Sequence, residues 1–130
     1  MNLQLSLKGR WFEMTKSGIK TEDYRSLTPY WCNRLLLYDG ESKPVKWWGF
    51  MPTSRYFVIN AIETNIKIGR ITFKKFDYNI MTLGYPKSTD TERILSLEHK
   101  GIEIRTGNPE WGAEPNKLYF VILHGKNQTK

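Results

Sequence analysis

Cysteine is nearly missing from this sequence: Cys32 is the only one in 130 residues, and only two histidines, His99 and His124, accompany it. An intrachain disulfide is excluded, and so is a structural zinc site, which needs nitrogen and sulfur ligands gathered at short spacings. Long apolar runs are missing too. No stretch approaches the roughly 18 residues that cross a bilayer, and the opening MNLQLSLKGRWF alternates where a signal peptide would carry a continuous apolar block. The chain therefore reads as soluble and cytoplasmic, with no membrane partner, metal or cofactor expected. The glycosylation triplet at Asn127 has meaning only in a secreted chain and is set aside. Acidic residues are the minority: 13 Asp and Glu against 20 Lys and Arg leave a net charge of +7. That sign favours a polyanionic partner, because neutralised phosphates release condensed counterions. The basic residues are scattered, however, so only a fold could bring them to one face.

Aromatics are plentiful, with five Trp, seven Tyr and six Phe, and 39% of the chain is hydrophobic. That is enough apolar surface to offset the entropy of ordering one domain. A single domain is expected over 1–125, with a polar tail at 126–130. Leu3, Leu5 and Leu7 alternate with polar residues and predict a half-buried first strand. Trp11, Met14 and Thr15 follow helical spacing, and Gly18 stands where a helix C-terminus wants positive φ, with Ile19 expected to fold back on the last turn. KTEDYRS then reads as a second extended stretch. Thr28 as N-cap with Pro29 in the first turn predicts a short second helix carrying Trp31 and Leu35 to Leu37. Residues 39–54 hold two glycines and two prolines without a sustained period and read as a long surface loop. In it Trp47, Trp48 and Phe50 either tuck under the loop or form a stacking surface.

The second half reads as strands: YFVINAI, IKIGRITFKKF, RILSLEHKGIEIR and the closing LYFVILHG. In the third, Leu95, Leu97 and His99 share a face until Gly101 shifts the phase to Ile102 and Ile104, the mark of a bulge. The fold class expected is α+β: a small mixed β-barrel, paired antiparallel, with one or two helices flanking a cleft.

The stretch SGIKTEDYR, residues 17–25, concentrates opposite charges. In a regular strand Asp23 and Arg25 share one face within salt-bridge reach, while Lys20, Glu22 and Tyr24 share the other. Either face turned inward needs pairing to make burial bearable. Gly18-x-Lys20-x-x-Asp23-x-Arg25 resembles the G-x-K-x-x-E-x-R signature of the ASCH domain, a branch of the PUA-like superfamily. The layout agrees from Leu3 to about His124, with 39–54 standing as a loop insertion. The resemblance implies a PUA-like barrel whose cleft, beside the first helix, takes RNA, single-stranded nucleic acid or a modified nucleoside. Gly18, Lys20, Asp23, Tyr24 and Arg25 would then be ligand-binding. Asp23 stands where the signature has glutamate, one methylene shorter.

Some small ASCH proteins are amidohydrolases that deacetylate N4-acetylcytidine, and others are ribonucleases. That likeness makes Lys20 and Asp23 the catalytic candidates, the aspartate acting as general base toward water in place of the threonine of the deacetylase pattern. Tyr85, between Gly84 and Pro86, could stack on a base or simply turn the chain. Trp111, in the loop NPEWGAEP with Glu110, could bind a ligand or close the barrel end as packed core. His99 and His124 fall on predicted strands, where a satisfied structural histidine is the default. A third reading makes the chain a protein-binding adaptor using Trp47 and Trp48.

Overall fold

Leu3, Leu5 and Leu7 are all buried along one face of strand β1 (Leu3–Leu7), as their alternation requires. The computed structural model describes residues 1–49 and 55–129, with the backbone alone for 55–60. Two compact units share the chain: Met1–Tyr24 with Lys75–Lys130, and Arg25–Lys74. Residues 39–54 fall inside the second unit, and Phe50 lies outside the described residues.

In the first unit β1 leads into helix α1 (Gly9–Lys16), the helix expected from that spacing, which buries Phe12 and Thr15 and leaves Trp11 and Met14 half-buried. The helix ends as the sequence demanded: Ser17 caps it, and Gly18 follows at φ +84° with open space where a Cβ would stand. Ile19 does not fold back; it is 61% exposed, and the Lys20 N–H closes the turn instead by donating to the Met14 carbonyl at 3.0 Å. Strand β2 (Glu22–Arg25) follows.

The α+β architecture rests on a curled half-barrel of five strands in the order β1-β5-β6-β7-β2, where β5 is Tyr78–Leu83, β6 Ile94–Thr106 and β7 Leu118–Asn127. Pairing is not antiparallel throughout, because β1 runs parallel to β5. A connection of some seventy residues removes the hairpin constraint that would force the antiparallel arrangement. β6 carries the bulge expected at Gly101: the register with β7 shifts between His99 and Gly101, whose φ is +126°. Leu95 and Leu97 before it and Ile102 after it are all buried. Strand β5 has no counterpart among the expected strands. Its inward positions are Asn79 and Met81, and the polar residue hides the apolar alternation.

The second unit holds helices α2 (Pro29–Leu35), α3 (Val45–Trp48) and α4 (Arg55–Lys67), with β3 (Leu36–Tyr38) antiparallel to β4 (Ile71–Phe73). The Thr28 hydroxyl accepts from the Trp31 N–H at 3.3 Å, the cap that Thr-Pro announced. Several expectations fail here: Val45–Trp48 of the expected loop forms α3, and in IKIGRITFKKF Ile66 and Lys67 end α4, so that only Ile71–Phe73 is strand. Leu36 and Leu37 leave the helix for β3, and YFVINAI belongs to α4, since a short apolar run has no period that separates a strand from a buried helix. Trp48 is buried, its indole N–H donating to the Lys43 carbonyl at 3.2 Å, and Trp47 packs between Tyr38 and Trp48. Trp48 thus tucks inward, and Trp47 stays half-buried against it.

Near the end of β6, Gly107 lets the chain pass Tyr24. A Cβ there would meet Ala113 Cβ at 2.7 Å and the Tyr24 ring at 2.7 to 2.8 Å. Gly107→Ala is expected to cost about 1–3 kcal/mol, the usual range for overpacking. Urea unfolding measures it; a midpoint equal to that of the unmodified protein would show that the ring has room to move.

Candidate functional site

The charged residues of 17–25 sort themselves by where β2 starts. Lys20 precedes the strand and is not bound by its pleat, so its side chain reaches Asp23 instead of sharing a face with Glu22 and Tyr24. Lys20 Nζ donates to the Glu22 carbonyl at 2.5 Å and to Asp23 Oδ1 at 3.3 Å. Both partners are buried, Lys20 at 2% exposure and Asp23 at 5%. Their charges meet each other rather than bulk water. The Lys20 ammonium also stands 5.7 Å from the centre of the Tyr24 ring.

Glu22 and Tyr24 form a second layer. Arg105, from β6, grips the Glu22 carboxylate through Nη2 on one oxygen and Nη1 on the other, while its Nε donates to Glu103 at 2.8 Å. The Tyr24 hydroxyl donates to Glu22 Oε2 at 2.8 Å and accepts from the Asn108 N–H at 2.9 Å. Burial pushes the Glu22 carboxyl up, but the hydrogen bonds from Arg105 and Tyr24 and the charges of Arg105 and Lys20 outweigh it and hold the group below its usual range. The Tyr24 hydroxyl rises to about 12, first through burial and then through the neighbouring Glu22. Arg105 is held more firmly cationic by its bonds to Glu22 and Glu103.

The two histidines come together. His99 and His124 are register partners across β6 and β7, and the fully buried Asn79 of β5 joins them. The Asn79 amide nitrogen lies 3.3 Å from the Leu123 carbonyl and 2.7 Å from His124 Nδ1; its oxygen lies 2.7 Å from His99 Nδ1. A carbonyl only accepts, so the NH2 must face Leu123 and His124. His124 Nδ1 then accepts and its proton sits on Nε2, while His99 donates from Nδ1. Burial drives the His124 pKa down to about 4; the Asp23 charge opposes this and those of Lys20 and His99 add to it. Burial lowers His99 as well. His124 is thus neutral at pH 7 and within electrostatic reach of the Lys20–Asp23 pair. Its backbone N–H donates to the Thr21 carbonyl at 3.0 Å, which fixes β7 beside the start of β2.

The expectation of a satisfied structural histidine fails for His124, whose buried Nε2 has no hydrogen-bond partner among the described residues. Twenty-five positions separate the two histidines in sequence, and the residue linking them lies in the strand that the pattern concealed. The Gly101 phase shift was the one available signal, since it marks the place where His99 meets β7.

Gly18 serves as the positive-φ residue just past the helix cap. Arg25, grouped with the second unit, lays its guanidinium 4.9 Å from the centre of the Trp31 ring. Tyr85 is 96% exposed after Gly84, itself at φ +65°. Trp111 is half-buried in a 3-10 turn, Pro109–Trp111, capped by Asn108. Trp11 closes over that turn: a Cβ on Gly112 would sit 3.0 Å from its ring. Among the described residues no group of three His, Cys, Asp or Glu is placed to hold a metal ion, and no helix is long and apolar enough to cross a membrane. The buried Cys32 thiol, raised to about 12 by desolvation, is not a nucleophile at neutral pH.

Compared with protein-family models, with curated proteins and with solved structures, the chain finds no significant match.

Proposed function

We propose that the first unit is an ASCH-like, PUA-like domain that binds single-stranded nucleic acid or a nucleoside through Lys20, Asp23 and Tyr24. The observation carrying this reading is the buried Lys20–Asp23 ion pair set beside a neutral His124. Apolar side chains of similar volume commonly serve stability as well as a buried ion pair, and a titratable group perturbed as His124 is belongs to the kind that concentrates at functional sites. An ammonium, a carboxylate and an imidazole N–H together match the acceptors and the exocyclic amine of a base edge, and Tyr24 adds a ring. Exposed Lys and Arg and the +7 charge suit the backbone of a polyanion.

Fluorescence anisotropy with oligo-U RNA and oligo-dT DNA tests this directly. For a single strand, three phosphate contacts should weaken binding about 20-fold between about 50 and 200 mM salt. Absence of binding to either probe at about 50 mM would overturn the reading. The alternative is hydrolysis of an acylated cytidine, favoured by a neutral imidazole in the field of Lys20 and Asp23. Product from N4-acetylcytidine, lost in Asp23→Asn, would replace the binding role with a catalytic one.

A further inference from the structure

We infer that His124 is a ligand-contacting residue of this site, its Nε2–H donating to an acceptor atom, a carbonyl oxygen or ring nitrogen, of the bound base. The inference rests on the binding reading above and adds a residue that no signature in the sequence supplies. A buried N–H without an acceptor costs free energy that native proteins seldom tolerate, so such a group needs an explanation, and an acceptor that reaches Nε2 when the side chains covering it shift supplies one. The partner must be an acceptor. Asn79 presents its NH2 to His124 Nδ1, an orientation fixed by the Leu123 carbonyl, and this keeps the imidazole proton on Nε2. Asn79 and His99 are therefore positioning residues: they set the tautomer and hold the ring. Asp23 and Lys20 act on the same imidazole through their charges, so a base meeting His124 also lies in the field of that carboxylate and ammonium.

The experiment combines nitrogen-detected NMR of the two imidazoles with binding of uridine, cytidine and oligo-U RNA. In the free protein His124 should show a protonated Nε2 and an unprotonated Nδ1 at pH 7. Saturation with a bound probe should move the Nε2–H resonance downfield and slow its exchange with water. His124→Phe, which keeps the ring volume and loses the donor, should weaken the probe about 10- to 100-fold. His124→Gln, which keeps an N–H near the same place, should lose less than Phe. Should His124→Phe fail to fold, the Gln variant and the resonance of the unmodified protein still decide the matter. Unmodified protein that binds a probe with the Nε2–H resonance unmoved, or with His124→Phe as tight as before, overturns this inference and leaves the binding reading intact. A long-lived water cross-peak to Nε2–H that persists in the complex also overturns it. Failure of every probe to bind the unmodified protein removes both.

Discussion

Lys20→Met is expected to destabilise the protein by about 3–5 kcal/mol, the cost typical of removing one member of a buried ion pair. Methionine nearly matches the lysine in length, so little packing is lost. What changes is that Asp23, 5% exposed, keeps a carboxylate with its ammonium partner gone. The Glu22 carbonyl also loses its donor. The double variant Lys20→Met with Asp23→Leu removes both charges together and should recover most of the loss, because well-packed apolar pairs commonly equal a buried salt bridge in stability. Urea unfolding of the unmodified protein, both single variants and the double variant closes the cycle and isolates the coupling. Equal stability of Lys20→Met and the unmodified protein would mean that the pair is solvated in solution. If the double variant folds well yet no longer binds oligo-U, the charges serve the ligand and not the fold.

Acidification is expected to remove about 3 kcal/mol of stability between pH 6.5 and about 4. Over that interval an unfolded chain protonates His124, whereas the folded chain refuses the proton until about pH 4. The unfolded state then binds more protons, so stability rises with pH through this window, is fully present above about 6.5, and is lost as pH falls toward 4. A drop from 6.5 to about 4, at about 1.4 kcal/mol for each pH unit, gives that magnitude. Asp23 and Glu22 pull the imidazole toward protonation, while Lys20, His99 and burial resist it, and burial dominates. His99 contributes in the same direction, and Glu22, held below its usual range, extends the loss to lower pH. Stability measured at several pH values should show this slope, and His124→Phe should flatten most of it. Equal stability at pH 7.5 and 4.5 would place the imidazole in water.

The end of α1 and the start of α2 were legible in the sequence because capping chemistry is local. Gly18 and the Thr28–Pro29 pair act on backbone groups within a few residues of themselves, so their geometry follows from spacing alone. The first strand and the Gly101 bulge were equally readable, since two-residue periodicity and its break are properties of a single segment. The face of Lys20 was not legible, because nothing in KTEDYRS marks that the pleat starts at Glu22 and not at Lys20.

The sequence by itself determined a basic, β-rich α+β chain with a charged stretch after a capped helix, since composition, caps and periodicity are written within short segments. Only the tertiary structure decided that the ammonium and carboxylate pair with each other in a buried place, and that His99, Asn79 and His124 form one array. Those contacts depend on strand order and register, with β5 placed between β1 and β6 and β7 brought beside β2. Order and register are fixed by the packing of the whole sheet, which no short window of residues contains.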